Sequence, residues 1–453
     1  MTEIAVSDSQ SEAVSNLLEK DERQWWTPSV TDALDRSVIL ERFERIRDAN
    51  LSVLGAHGVD AAAMLEDYER SVIFAHNAFD EFEAPDASLD EKFDWAFMVP
   101  ARGRHASEVT DFLPILDASY GATPDQVHRT VAHLAPTKIE TYRGNDDIRG
   151  MILYTPAYFN ASITTDRARA HQEVMAAQRR VSEAAHLVRQ RHAVGLVGLG
   201  AVLPAVTQFG NKIKEEGLVT TTGHGGTVHL VSQIVEQAIL SRRTESRIGM
   251  LGLGSIGSSS LDVLRQSPLR DHIRSFGLYD IDPSAVQRNF HAADTKPVFT
   301  TLSERQLLSQ ADIIVTAVTD SIDLDEIERR DGRLIDLEGK IIVDDSQPGC
   351  FSREQVEARG GKLVWVVGSD QSDSSFLHRE SGYTYGNETG LYGEGASWGC
   401  EAEAGALATL GLAELAVKSR VTPEIAREIG KVCFDAGIRA AWPPQSFGQP
   451  VEF

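Results

Sequence analysis

The chain has 453 residues, too many for one simple hydrophobic core, so we expect two domains and an accessory segment. Its formal net charge of −23 would repel nucleic acids and anionic membranes, so neither is an expected partner. The three cysteines form no C-x-x-C pair and no Cys/His cluster, which indicates neither a metal site nor a disulfide framework.

The first 96 residues are acidic, with 22 Asp and Glu against 8 Lys and Arg. They contain no basic patch followed by an apolar core, and the chain has no run of about 18 apolar residues. We therefore expect a cytoplasmic protein without an integral membrane segment. Apolar residues at helical spacing predict helices over residues 31–50 and 61–79. We interpret residues 1–96 as an acidic helical extension that packs on the rest of the chain, on a second subunit of an oligomer, or on another protein.

Residues 97–240 are predicted to form an α/β domain that binds the substrate. Apolar runs at 139–142 and 150–154 flank turn residues at 144–146, which predicts a pair of strands. Residues 167–192 form a predicted helix with one small-residue face and many arginines elsewhere on its surface. These arginines are either ordinary solvated surface or a dock for an anionic partner, such as a phosphopantetheine-bearing carrier protein. The arginines are Arg167, Arg169, Arg179, Arg180, Arg189 and Arg191.

A run of small hydroxyl and glycine residues at 220–227 leads into a helix predicted over 228–239. Such a run presents free backbone N–H donors, which suit an oxyanion or a cofactor amide. The same residues are also ordinary helix-capping chemistry that needs no ligand. The candidate site residues here are Thr221, Thr222 and His224.

A dinucleotide fingerprint is the most specific motif in the chain. Gly252, Gly254 and Gly257 have the G-x-G-x-x-G spacing, between a predicted strand at 248–251 and a predicted helix at 258–265. The first glycine suits a tight turn, the second admits a pyrophosphate, and the third lets the helix pack on the strand. The N–H groups that open the helix would point at the phosphates.

The residues around the fingerprint predict which cofactor binds. Ser255 and Ile256 open the helix, and Asp280 ends the next strand at the offset expected for a ribose-binding acid. Asp280, with Asp282 beside it, would repel a 2′-phosphate. We therefore expect NADH or NADPH as cofactor, with NADH favoured.

Further apolar runs predict that the chain continues as a parallel sheet. They lie at 297–299, 312–318, 340–344 and 362–367. The predicted fold is α/β: a Rossmann-like dinucleotide-binding domain, a second α/β substrate domain and an N-terminal helical extension. We place the dinucleotide-binding domain at 241–390. Residues 391–453 are expected to form C-terminal helices that carry Cys400 and pack back on the substrate domain. The first of these helices is predicted over 399–417.

These pieces, in this order, resemble the long-chain acyl-acyl-carrier-protein reductases, which form aldehydes, over about residues 97–453. The motifs that carry the resemblance are the strand pair within 139–154, Leu199-Gly200, Thr221-Thr222-Gly223, the fingerprint, Cys400-x-Ala402-Glu403-Ala404, Ile429-Gly430 and Gly437. The resemblance implies that Cys400 is the nucleophile that takes the acyl group from a thioester. The chain departs from the family pattern at His224, within the fingerprint and at Asp280, and the extension has no counterpart.

We therefore expect Cys400 to attack an acyl thioester while donors near Thr221, Thr222 and His224 hold the oxyanion and a nicotinamide supplies hydride. A thiol at a helix N-terminus has its thiolate stabilised, whereas Glu401 and Glu403 would oppose this. Two alternatives remain open. One is a non-covalent dehydrogenase or reductase of a small carbonyl or imine, in which Cys400 only packs. The other is a dinucleotide-binding regulatory or scaffold protein that engages a partner through its acidic extension.

Overall fold

A computed structural model describes most of the chain beyond the first 33 residues. The described residues are 34–54, 60–84, 91–100, 112–144, 147–157, 167–290, 296–346, 349–370, 378–382 and 396–453. Predictions for residues 1–33 lie outside this part of the chain. No helix within the described ranges is long and apolar enough to cross a membrane.

The structure contains the helices predicted over 31–50, 61–79, 167–192, 228–239 and 258–265, several with shifted ends, together with helices that were not predicted. The helices are α1 Arg36–Leu54, α2 Ala61–Glu83, α3 Pro124–Val131, α4 Arg167–His192, α5 Leu203–Val206, α6 His224–Ser241, α7 Ser255–Arg265, α8 Pro283–Asn289, α9 Glu304–Gln310, α10 Leu324–Asp331, α11 Arg353–Glu357, α12 Gly399–Thr409 and α13 Pro423–Asp435. The helix predicted over 399–417 is shorter than expected. It ends before Gly411, which adopts a left-handed conformation with φ of 65°.

The structure contains strands at the runs predicted over 139–142, 150–154, 248–251, 297–299, 312–318, 340–344 and 362–367, whereas the short strands after residue 367 were not predicted. The strands are β1 Trp95–Pro100, β2 Thr137–Arg143, β3 Arg149–Thr155, β4 Leu196–Leu199, β5 Val219–Thr221, β6 Ser246–Leu251, β7 Ile273–Tyr279, β8 Val298–Thr300, β9 Ile313–Thr316, β10 Ile341–Asp344, β11 Lys362–Trp365, β12 Gly368–Asp370, β13 His378–Gly382, β14 Ala396–Ser397, β15 Ile438–Ala440, β16 Gln445–Ser446 and β17 Gln449–Pro450.

Six of these strands form a parallel sheet in the order β11-β10-β9-β6-β7-β8. Read from β6 as the first strand, this is the 3-2-1-4-5-6 order of a doubly wound dinucleotide-binding fold. The central strands β9 and β10 are buried along their whole length, which explains why they read as continuous apolar runs. The predicted Rossmann-like α/β fold is confirmed by this topology.

A second six-stranded sheet has the order β13-β2-β3-β1-β4-β5 and mixed strand directions. The predicted strand pair is confirmed, since β2 and β3 are antiparallel neighbours. β1 lies between β3 and β4 and runs parallel to both, and it is buried at every residue. β4 and β5 continue in parallel to the edge of the sheet, where residues 220–227 begin.

The segment around residue 370 joins the two halves of the molecule. β12 pairs antiparallel with β14 and β15, and β13 pairs antiparallel with β2 in the mixed sheet. The domain boundary expected at residue 390 therefore does not coincide with the change from one sheet to the other, because β13 belongs to the sheet of residues 97–240. Short strands that are close in sequence but pair in different sheets have too little apolar periodicity to be recognised in a sequence.

The described part of the acidic extension packs on the mixed-sheet half of the chain. Ile39 and Phe43 of α1 and Phe79 of α2 are almost fully buried in the same apolar cluster as Trp95 of β1. Asp60 caps α2 by accepting hydrogen bonds from the N–H groups that open it. Of the three roles expected for the extension, the structure thus displays one, which is packing on the rest of the chain.

The predicted basic surface of α4 is smaller than the arginine count suggests. Arg180 is buried and pairs with Glu183, 3.2 Å from Nη1 to Oε2. Arg189 donates to the carbonyl of Glu216 at 3.1 Å. The side chains of Arg167 and Arg169 lie outside the described atoms. A helix that runs along a sheet must bury one flank, so Arg180 is withdrawn from the surface and Arg189 holds a neighbouring segment.

Two helix N-termini meet at the centre of the molecule with no side chain between their backbones. A Cβ added at Gly226 of α6 would lie 2.2 Å from the carbonyl oxygen of Gly399, and one added at Gly399 would lie 2.6 Å from the backbone nitrogen of Thr227. Only glycine fits at such a contact. These two residues therefore set how closely α6 and α12 approach.

We expect Gly226→Ala to lower the free energy of unfolding by about 2–3 kcal/mol, because the new methyl group overlaps a backbone oxygen that cannot move alone. The better helix propensity of alanine returns only about 1 kcal/mol. Urea denaturation measures the difference. The matched control is Gly195→Ala, where the nearest atom to the new Cβ is the Asp94 carbonyl oxygen at 4.0 Å. Equal stability of the two variants would contradict this packing argument.

Candidate active site

The candidate site lies where α6 and α12 begin, beside the carboxyl edge of the parallel sheet. Gly223 caps α6 in a left-handed conformation with φ of 69°. A Cβ at Gly223 would lie 2.3 Å from both Cα and Cβ of Cys400, so the turn before α6 presses directly on the cysteine. This turn fixes the position of the thiol relative to Thr222 and His224.

Glu403, on the first turns of α12, links α12 to α6 through hydrogen bonds. Its carboxylate is fully buried and accepts hydrogen bonds from the Thr221 hydroxyl and, at 2.8 Å, from the N–H of Gly226. The Thr221 oxygen in turn accepts from the N–H of Val417 at 2.9 Å. Thr221 was predicted to face the oxyanion, but its hydroxyl is used in this network beneath the site.

Burial raises the pKa of Glu403 to about 7, although the Thr221 hydroxyl and backbone N–H groups at the start of α6 favour the charged form. Desolvation outweighs these hydrogen bonds because no cation faces the carboxylate within the described residues. The network therefore contains an acid that titrates near neutral pH.

A cavity of about 300 Å³ brings Cys400 and the fingerprint together. Thr222 and His224 line it from the start of α6, and Gly254, Ser255 and Ile256 line it from the start of α7. Two predicted sites, the cysteine site and the dinucleotide site, are thus one continuous surface. The other lining residues include an apolar wall and one acid: Leu199, Ala201, Val202, Pro204, Ala205, Phe209 and Asp345.

His224 connects the two helix starts across this cavity. Its Nδ1 lies 3.2 Å from the Ser255 hydroxyl, and its ring meets the edge of Phe209 with 6.0 Å between centroids. Burial lowers the pKa of His224 to about 4, so the imidazole is neutral at physiological pH. If the Ser255 hydroxyl donates to Nδ1, then Nε2 carries the proton and can donate it to a bound oxygen.

The Cys400 thiol is more basic than its helix position alone indicates. Burial raises its pKa well above the usual range, and the charges of Asp345 and Glu401 add to that effect. Backbone N–H groups of the first turn oppose the shift without cancelling it. The sequence left this balance open, and in the structure the thiol form dominates at neutral pH.

The fingerprint has the geometry that a bound pyrophosphate needs. Gly252 adopts φ of 90°, a Cβ at Gly257 would lie 2.0 Å from the Gly252 carbonyl oxygen, and no atom lies within 4 Å of a Cβ at Gly254. The turn is therefore tight on one side and open on the other, where phosphate would approach the start of α7.

A second cavity of about 540 Å³ extends from Gly254 to Asp280. The Asp280 carboxylate accepts from the N–H of Leu253 at 2.6 Å and from that of Asp282 at 2.8 Å. Each carboxylate oxygen has a further lone pair, so Asp280 can also accept from ribose hydroxyls. Arg330 lines the same cavity and is paired with Glu304 at 2.7 Å.

Sequence reasoning places residues 343–348 at the sheet edge where ligands bind, but it assigned no role to Asp345 and missed Phe209. Asp345 follows directly after β10, at the edge of a parallel sheet where ligands bind, and this position is the signal that could have found it. Phe209 carries no such signal. It belongs to a turn with positive φ at Gln208 and Phe209, which nothing in the residue types indicates.

Comparison with known proteins gives partial structural matches. No protein-family model and no curated protein matches the chain. The A chain of dipicolinate synthase from Bacillus subtilis is 15% identical with a TM-score of 0.26, over 42% of this chain and 59% of that one. An imine reductase variant from Myxococcus stipitatus, solved with NAD⁺, is 18% identical with a TM-score of 0.20, over 28% and 42%. A Granulicella formate dehydrogenase is 10% identical with a TM-score of 0.27, over 52% and 66%.

The chain thus spans 66% or less of the length of each of these proteins, and their activities are not assigned to it by this comparison. The assignment of the parallel sheet to the dinucleotide-binding fold rests on its strand order.

We expect Asp280→Ser to weaken NADH binding about tenfold, since it removes hydrogen bonds from ribose hydroxyls to a charged acceptor. NADPH should lose little, because the carboxylate that repels a 2′-phosphate is also removed. Fluorescence titration with both cofactors measures the two dissociation constants. Asp282→Asn is the control, because asparagine also caps α8. A parallel loss of both cofactors in Asp280→Ser would contradict the assignment.

Glu403 predicts a pH dependence of stability. Its folded pKa of about 7 exceeds the ordinary value of 4.5, so between these pH values the folded state keeps a proton that the unfolded chain loses. The free energy of unfolding of the wild type should therefore fall by about 3 kcal/mol, relative to Glu403→Gln, as pH rises from 4.5 to 7.

Urea denaturation of both proteins across that range is the measurement. Glu414→Gln, which changes an exposed carboxylate, should keep the wild-type slope. Parallel curves for wild type and Glu403→Gln would show that Glu403 titrates normally in the folded protein.

Proposed function

We propose that the chain reduces an acyl thioester to an aldehyde with NADH or NADPH, through an acyl group carried on Cys400. The observation that supports this most is the shared cavity, in which the Cys400 thiol and the Gly254–Ile256 turn face the same space. Covalent transfer needs a nucleophile beside the position where hydride is delivered. The proposed acyl donor is a thioester of a carrier protein or of coenzyme A.

The residues present fit a dinucleotide. The turn is open at Gly254, the N–H groups that begin α7 suit the pyrophosphate, and Asp280 suits the adenosine ribose. When bound, the reduced nicotinamide supplies the hydride that converts the acyl group to an aldehyde.

The chain's own residues would position the acyl group. The neutral His224 would donate a hydrogen bond from Nε2 to the carbonyl oxygen. This hydrogen bond would strengthen as negative charge develops on the oxygen. The Thr222 oxygen accepts from the N–H of His224 at 3.3 Å, which leaves the hydroxyl proton for the same oxygen. The apolar wall that contains Phe209 would exclude water from the acyl group.

One observation favours a second candidate, a non-covalent dehydrogenase or reductase of a small carbonyl or imine. The raised pKa of the Cys400 thiol leaves little thiolate at neutral pH, which suits a cysteine that only packs and takes no part in the chemistry. In that candidate His224 would polarise the substrate carbonyl, and Cys400→Ser would keep most of the activity.

Intact-protein mass spectrometry separates the two candidates. Wild type, Cys400→Ala and Cys433→Ala are incubated with acyl thioesters of increasing chain length and no reduced cofactor. We expect wild type and Cys433→Ala to gain the mass of one acyl group and Cys400→Ala to gain none, because Cys433 is fully buried outside the cavity. Addition of NADH or NADPH should then remove the adduct and release aldehyde.

An adduct that persists in Cys400→Ala would contradict the assignment of the nucleophile. No adduct on any of the three proteins, together with carbonyl reduction by Cys400→Ser at near wild-type rate, would establish the non-covalent candidate instead.

A further inference from the structure

Four acidic side chains lie on two elements that contribute to the cysteine side of the cavity, at the end of β10 and in α12, and three of them are held in hydrogen bonds. Asp344 is fully buried and accepts from the Thr316 hydroxyl at 2.7 Å and from the N–H groups of Ser346 and Cys350 at 2.9 and 2.7 Å. Glu403 is held in the network of Thr221 and Gly226 described above.

Glu401 is the third, and its Oε2 accepts from the Ser397 hydroxyl at 3.0 Å. It is 2% exposed and does not line the cavity. These three acids are parts of the scaffold, because each secures a turn or a helix start and none lines the cavity.

Asp345 differs from the other three. Its backbone N–H donates to the Thr316 carbonyl at 3.0 Å, which fixes the residue at the end of β10. Its carboxylate makes no hydrogen bond to any residue within the described ranges, and it lines the cavity together with Cys400. A partly buried carboxylate with free oxygens beside a thiol has the geometry of a proton acceptor.

We propose that Asp345 takes the proton of the Cys400 thiol and returns it to the sulfur of the departing donor during acyl transfer. This inference rests on the proposed function and adds to it the group that moves the proton.

Each bond in the step is accounted for. The S–H bond of Cys400 breaks, its proton passes to an oxygen of Asp345, and the sulfur forms a bond to the thioester carbon. The bond from that carbon to the donor sulfur then breaks, and the donor sulfur takes the proton from Asp345. The products are an acyl group on Cys400 and a free donor thiol, with Asp345 again ionised and no oxidant or reductant consumed.

The electrostatics of the site suit this exchange. Burial and the neighbouring Asp344 raise the pKa of Asp345 well above its ordinary value, which makes it a better match for a thiol than an exposed aspartate. The other titratable groups around the cavity cannot take this part. His224 is a weak base, because burial lowers its pKa to about 4, and Glu401 and Glu403 do not line the cavity.

Two rates measured on wild type, Asp345→Asn and Asp345→Glu test the proposal, and neither needs cofactor turnover. The first is the rate of acyl-adduct formation by rapid-quench mass spectrometry. The second is the rate of Cys400 alkylation by iodoacetamide against pH, read by peptide mass. Asp271→Asn is the control, because it removes an exposed carboxylate at the opposite edge of the sheet.

We expect Asp345→Asn to form the adduct at least about 100-fold more slowly, and Asp345→Glu to recover part of the rate. Cys400 alkylation in Asp345→Asn should be as fast as in wild type or faster, with a lower midpoint pH, because a negative charge beside the thiol is gone. A purely structural role would slow both rates together, whereas the proposal slows only the adduct rate. Cys350 and Cys433, both buried, should stay unreactive and so report an intact fold.

An adduct rate in Asp345→Asn equal to that of wild type and Asp271→Asn would overturn the proposal and leave the proposed function standing. No adduct in wild type would overturn both. Alkylation of Cys400 that slows in step with the adduct rate would also overturn it, because the substitution would then have hindered access to the thiol.

Discussion

The contact between the starts of α6 and α12 is the constraint on which the site depends. Gly226 and Gly399 let the two backbones touch, and Gly223 presses on Cys400 from the turn before α6. Helix N-termini repel each other because both ends carry partial positive charge. Glu403 lies between them and accepts from Gly226, so a buried carboxylate offsets that repulsion where no side chain could be inserted. The position of the thiol follows from this arrangement.

The protonation state of the Cys400 thiol depends on which of two effects is larger, the stabilisation of a thiolate by the helix N-terminus or its destabilisation by burial. A helix N-terminus stabilises an anion by about 0.3–1 kcal/mol, and by up to about 2 kcal/mol in a partly buried position. Full burial can shift a pKa by about 3 units or more, and each unit corresponds to about 1.4 kcal/mol. Burial therefore prevails at Cys400, and Asp345 and Glu401 increase its effect. A cysteine in this position stays protonated until a base removes its proton.

The sequence was a good guide wherever one segment carries its own pattern. A parallel, Rossmann-like sheet could be anticipated from successive apolar runs and the glycines at 252–257, because such strands are buried on both faces. The helix Arg167–His192 matched its small-residue periodicity. Predictions were weaker where distant segments meet. The pairing of β13 with the mixed sheet and the hydrogen bond from Thr221 to Glu403 both depend on partners far away in the chain.

The two cavities share Gly254 and residues 317–319, so the open side of the fingerprint turn joins them. A dinucleotide that follows the turn would place its adenosine towards Asp280 and its other end towards Cys400. The cysteine side has an apolar wall along 199–209, whereas the adenosine side contains Asp280, Glu304 and Arg330. Polar recognition is thus concentrated where the cofactor would be held. The cysteine side adds the thiol, a neutral imidazole, hydroxyls such as that of Thr222, and Asp345, whose carboxylate accepts no hydrogen bond from the described residues. In the proposed reaction these groups would move the proton.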